Sequence, residues 1–203
     1  MTTTPRIYLA GPDVFLPQAA TLAAAKQQIC AQLGLAGLHP MDNELDASTH
    51  SPSALGYAIA AANEELMRSC DAVIANLTPW NGPSADAGTV YELGFMRALG
   101  RPCFAYSNDR RTYIARLQDY MDSHQLGPIT TDQAGHVHNR LGHKLENFDL
   151  ADNAMLPGGI MQSGGVFALG HLLPSDADYL TDLSAFQQAA QACAAYYQKR
   201  GPL

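Results

Sequence analysis

One stretch, residues 70–106, constrains this chain more than any other: CDAVIANLTPWNGPSADAGTVYELGFMRALGRPCFAY. It reads as a strand, a turn-rich loop, a helix, a turn and a second strand. The run AVIANL has the continuous apolar character of a strand buried on both faces. Glu92, Phe95, Met96 and Leu99 follow i, i+3, i+4, i+7 spacing and share one side of the helix between the strands. Asp86 or Ser84 is placed to cap that helix, and Gly100 to end it. A strand–helix–strand unit predicts a right-handed crossover between parallel strands.

The rest of the chain repeats the alternation. RIYLA at 6–10 is a strand closed by Gly11-Pro12. A helix follows over 18–33, with Leu22, Ala25, Ile29 and Leu33 as its buried stripe, and residues 35–39 form a short strand. Residues 41–52 are polar and turn-rich. A second helix spans 53–69, with Leu55, Ile59, Ala62 and Leu66 in register. After the 102–106 strand come a helix at 111–124, an irregular Gly/His/Asn-rich segment at 127–148, and a loop at 150–165. A last strand is expected at 166–173. The final helix is expected at 176–199, with Leu183, Phe186, Ala190, Cys193 and Tyr197 on its core face. The pattern predicts an α/β fold: a doubly wound parallel sheet of about five strands with helices on both faces. Ligands of such sheets bind beyond the carboxyl ends of the strands, so loops 11–17, 41–52 and 78–88 should converge there.

Composition narrows the class. The chain has 203 residues, 47% hydrophobic and 15% charged, which suits a single domain over 1–203 with an irregular insert at about 109–149. A net charge of −7 without a basic cluster argues against nucleic acid or an anionic membrane as partner. No apolar run reaches the roughly 18 residues of a membrane span. The start of the chain lacks signal-peptide character. Four scattered cysteines, with no CxxC, read as reduced core thiols, so a cytoplasmic protein is expected.

Several residues carry candidate chemistry. Glu92 stands on an apolar helix face, where an unpaired carboxylate is costly and often functional; the alternative is a partly exposed acid favoured by the helix dipole. Asp86 precedes it by six residues and is either a plain N-cap or its partner. Two carboxylates can divide labour, one as ionised nucleophile and one as proton donor, which is the logic of retaining glycosyl transfer. Tyr8, in the first strand, can orient such a carboxylate or be a satisfied core tyrosine. Neither GxGxxG nor GxxxxGK[ST] occurs, so dinucleotide binding and P-loop chemistry are unsupported. GxSxG is also absent. His136, His138 and His143 match no common zinc spacing and read as a solvated loop, so neither metal nor cofactor is expected.

Three segments carry a resemblance. IYLAGP at 7–12, CDAVIANL at 70–77 and above all DAGTVYELGFMRALGRP at 86–102 resemble the nucleoside 2-deoxyribosyltransferases, with DNAML at 152–156 as a further match. The D-x-G-T-x-x-E-L-G pattern is shared with related N-glycosidases acting on nucleotides. The resemblance implies a flavodoxin-like fold and a homo-oligomer, dimer or hexamer. It implies 2′-deoxynucleosides and free nucleobases as partners, and a place in nucleotide metabolism and purine salvage. Glu92 matches the nucleophile that attacks C1′, Asp86 the acid that contacts and protonates the departing base, and Tyr8 the tyrosine that positions the nucleophile. Asn153 matches an asparagine that reaches the sugar 5′-hydroxyl in the neighbouring subunit's site, and Met155 a methionine nearby. Asn63 stands where the family often carries a base-contacting aspartate. Gly88 belongs to the shared loop motif, and Phe15 is placed to stack on the base or to pack in the core. The insert at 109–149 is longer than in compact members.

Three activities fit these residues. The first is deoxyribosyl transfer through a Glu92 ester, and the second is hydrolysis of that ester by water, on a nucleoside or a nucleoside 5′-monophosphate. The third is a nucleoside sensor without turnover, which would need no nucleophile. Asp13 in the first loop is expected to repel a phosphate, favouring unphosphorylated nucleosides.

Overall fold

The alternation in the sequence becomes a doubly wound sheet in a computed structural model that describes residues 4–42 and 50–200. In chain order the elements are β1 (Arg6–Ala10), α1 (Ala19–Gln32), β2 (Ala36–Leu38), α2 (Pro52–Arg68), β3 (Ala72–Asn76), α3 (Ala87–Ala98), β4 (Cys103–Asp109), α4 (Tyr113–Ser123), β5 (Thr130–Thr131), β6 (Val137–His138), β7 (Lys144–Leu145), α5 (Met155–Gln162), β8 (Phe167–Leu172) and α6 (Ser184–Arg200). The central sheet runs β2-β1-β3-β4-β8 with every pairing parallel. Strand order reverses between β1 and β3, the flavodoxin-like arrangement in which the ligand crevice opens at that switch point.

The two-residue period of the strands sorts the core into two layers. Ile7, Leu9, Ile74, Phe104 and Tyr106 face α1 and α6, where they meet Cys30, Phe186, Ala189 and Cys193. Tyr8, Ala10, Val73, Ala75 and Ala105 face the other way, onto Leu93 and Met96 of α3, Leu156 and Ile160 of α5 and Met67 of α2. Tyr8 therefore points into the layer that holds α3, and the register pairing Tyr8 with Val73 fixes it there.

Four expectations are corrected. Residues 150–165 are not a loop: they contain α5, whose Leu156 and Ile160 are buried on the sheet. Pro157 is tolerated because it lies in the first turn, where backbone N–H groups have no intrahelical partner. Residues 127–148 are not irregular throughout, since β5, β6 and β7 form a small antiparallel sheet. The last helix starts at Ser184, later than the apolar pattern suggests, where the Asp182 carboxylate accepts the Ser184 N–H at 3.0 Å. The buried stripes of the first two helices are also shifted. In α1 it is Leu22, Ala23, Lys26 and Cys30. In α2 only Met67 is buried, and Ile59 is 44% exposed. All four cysteines are buried and free. Among the described residues no helix is long and apolar enough to cross a membrane.

Candidate active site

At the carboxyl end of β1 and β3, the Tyr8 hydroxyl donates a 2.5 Å hydrogen bond to Oε1 of Glu92. Tyr8 is fully buried and Glu92 partly so. Burial pushes the Glu92 carboxyl up to about 7; the Tyr8 bond opposes that rise and the nearby Asp86 charge adds to it. Burial and the Glu92 charge push the Tyr8 phenol far above its ordinary range, so it stays a donor. A carboxylate poised near neutrality and held in one orientation is suited to act as a nucleophile.

Asp86 caps α3 and also lines the cavity that holds Glu92. Its Oδ2 accepts the Thr89 N–H at 2.9 Å and the Thr89 hydroxyl at 3.0 Å. Both bonds fall on one oxygen, so the cap does not engage Oδ1. A cavity of about 500 Å³ joins Asp86 to Glu92, Gly88 and Thr89 of α3, Asn63, Leu55 and Ile59 of α2, and Phe15 of the first loop. That volume suits a ligand of nucleoside size. Gly88 is tight against the cap: a Cβ there would sit 3.1 Å from Asp86 Oδ2. Leu55 and Ile59, expected in the core, line this cavity instead.

The first loop is fixed by a buried ion pair. Residues Pro12–Phe15 form a short 3₁₀ turn. Asp13 pairs with Lys26 of α1 and accepts the Asn76 side-chain N–H at 2.5 Å. Burial lowers the Lys26 pKa and the Asp13 carboxylate opposes that. Gly11 must stay a glycine here, because a Cβ would lie 2.8 Å from that of Asn76. The expectation that Asp13 repels a substrate phosphate is therefore corrected: its charge is buried and neutralised by Lys26. The turn projects Phe15, 67% exposed, which stacks on Trp80 with centroids 6.1 Å apart.

Asn153 and Met155 are not brought to this cavity within the chain. Asn153 donates its side-chain N–H to Glu146 at 2.8 Å. Met155, 79% exposed, edges a separate groove with Val90, Leu93 and Arg97. Beside them Asp152 is buried and accepts from Ser84 Oγ at 2.7 Å and Arg116 at 3.1 Å. Arg116 also donates to the Pro83 carbonyl at 2.8 Å. The loop that carries Asp86 is thus pinned from behind.

Sequence reasoning missed Lys26, Trp80, Arg116, Glu146 and Asp152. Trp80 carried a signal as the lone tryptophan, set in a loop at a strand end. Lys26 carried one as a charge inside the first helix's apolar pattern.

Comparison with known proteins places these features. An uncharacterized protein, C191.05c, from Schizosaccharomyces pombe is 32% identical over 171 residues, spanning 81% of each chain. A 2-desoxiribosyltransferase from Leishmania mexicana is 29% identical and superposes with a TM-score of 0.54, covering 75% of this chain and 85% of its own. A conserved protein from Enterococcus faecalis V583 shares the fold at 22% identity and a TM-score of 0.54, over 93% of this chain and 98% of its own. The family model described as nucleoside 2-deoxyribosyltransferase matches residues 7–155, from β1 through the Asn153 segment, and the chain belongs to that family.

Proposed function

We propose that the protein transfers 2-deoxyribose between nucleobases by double displacement at Glu92. The observation that carries this reading is the Tyr8–Glu92 pair at 2.5 Å, set in a cavity that also holds Asp86. Glu92 attacks C1′ of a 2′-deoxynucleoside as the glycosidic bond breaks and its electron pair leaves with the base. Asp86 gives that base a proton, which makes it a better leaving group. The positive charge building at C1′ is stabilised by the ionised Glu92. The resulting ester splits one hard step into two. A second base then attacks C1′ from the same face, displaces Glu92, and returns a proton to Asp86. Configuration is retained because two inversions occur.

Phe15, backed by Trp80, offers a flat face to a base, and Asn63 lines the same cavity. Asn153 and Met155 act in the site of a second copy of the chain, which accounts for their place outside the Glu92 cavity.

Chromatography of purified protein with deoxyinosine, with and without adenine or cytosine, tests the reading. New deoxyadenosine or deoxycytidine that forms only with acceptor base is the expected result. Hypoxanthine and free deoxyribose at equal rates with or without acceptor would assign hydrolysis instead. No turnover with intact nucleoside binding would leave a sensor.

A further inference from the structure

We propose that Asp132, His136 and His138 form a binding site for one zinc-class divalent cation at the tip of the β5–β6 hairpin. Their ligating atoms all lie within 4.8 Å of one another. None of the three lines the Glu92 cavity. Asp132 Oδ2 lies 3.1 Å from His138 Nε2 and 3.4 Å from His136 Nδ1. Two donors each about 2.0–2.1 Å from a tetrahedral zinc are themselves roughly 3.3–3.4 Å apart. The hairpin thus already holds each histidine nitrogen at nearly a coordination-edge distance from the Asp132 oxygen.

The surrounding backbone orients each ligand. Asp132 Oδ1 accepts the N–H groups of Ala134 and His136, both at 2.9 Å, which leaves Oδ2 toward the imidazoles. Gly135, at φ 83, makes the tight turn that brings His136 back beside Asp132. His138 Nδ1 lies 3.3 Å from the Gly142 carbonyl. Its Nε2, on the other side of the ring, lies 3.1 Å from Asp132 Oδ2. An imidazole held by a carbonyl on its far nitrogen is the usual support of a metal-bound histidine.

Two imidazoles and one carboxylate favour borderline cations such as zinc over magnesium or calcium, which select oxygen. The local spacing D-x-x-x-H-x-H shows why sequence patterns built on cysteines and longer gaps do not register it. Occupancy would brace the small sheet, whose last strand leads directly into Glu146, the residue that holds Asn153.

Tag-free, chelator-treated full-length protein titrated with zinc chloride in a calorimeter tests the proposal. One zinc per chain is expected, with a dissociation constant on the order of 1 μM and no matching signal from magnesium. Asp132→Asn keeps an oxygen for the turn amides but loses the charge, and His138→Gln loses a ligand; each should weaken zinc at least tenfold. His143→Ala, outside the triad, should bind as the parent does. Thermal melting with zinc should rise in the parent and not in the two ligand variants. Absent saturable binding, binding unchanged in both ligand variants, or equal loss in His143→Ala would overturn the site.

Discussion

The Tyr8 hydroxyl and the Glu92 carboxylate meet at 2.5 Å although 84 positions separate them in the chain. One comes from β1, second in the sheet order, and the other from α3, the helix that follows its central neighbour β3. Their meeting ties the ionised form of Glu92 to a phenol that donates to it.

The first prediction concerns pH. An unprotonated Glu92 is needed for attack, so kcat/KM should rise with pH on an acid limb with an apparent pKa of about 7. In Tyr8→Phe the bond that favours the ionised form is gone, and the limb should move to higher pH, with kcat down roughly 10–100-fold. Profiles of both proteins check this, and an unmoved midpoint would remove Tyr8 from the proposed role.

Glu92→Gln should abolish transfer, with a loss of at least about 10³-fold. It should also stabilise the fold at alkaline pH. The Glu92 pKa rises on folding from 4.5 to about 7, so the folded state holds a proton the unfolded state has released between those values. The contribution of Glu92 to stability is therefore whole below 4.5 and is lost as pH rises through about 7. Near pH 8 the variant should gain on the order of 3 kcal/mol at most, and near pH 4 almost nothing. Urea melts at the two pH values read the difference, and equal gains at both would contradict the burial argument.

Lys26→Met leaves Asp13 buried without its cation and should cost about 3–5 kcal/mol. Adding Asp13→Asn should restore most of it, since the amide needs no counter-charge. A melting temperature for Lys26→Met within a degree or two of the parent would show the pair to be dispensable.

Phe15→Ala should raise KM about tenfold or more with kcat little changed, because base stacking is worth roughly 1–3 kcal/mol and is felt equally before and during reaction. A fall in kcat at constant KM would place Phe15 in core support rather than in binding.

Mixing the inactive variants Glu92→Ala and Asn153→Ala should restore activity through hybrid sites if Asn153 serves a second copy. No recovery after verified subunit exchange would confine both residues to their own chain.

Much of the fold was legible because local signals agreed. Gly34 and Gly100, both at positive φ, end the α1 and α3 turns as their positions in sequence suggest. Asp86 caps where expected. What escaped were features that depend on partners far along the chain. Lys26 stands out only as a charge in an apolar helix, and its partner Asp13 shows once the first loop folds back on α1. Pro157 and two following glycines read as a loop, and only burial of Leu156 and Ile160 against α3 and the sheet makes that segment a helix. The α2 stripe looked like core because periodicity reports an apolar face without saying whether protein or ligand covers it.

The alternation of β1 has a consequence for how this protein can fail. Ile7 and Leu9 look toward α1 and α6 while Tyr8 looks toward α3. A slip of one residue between β1 and β3 would turn Tyr8 to the opposite face and strand Glu92 without its donor. A sheet with that slip would share the loss of activity expected of Tyr8→Phe, so the return of full turnover in a refolding experiment would time the moment when the β1–β3 crossover locks.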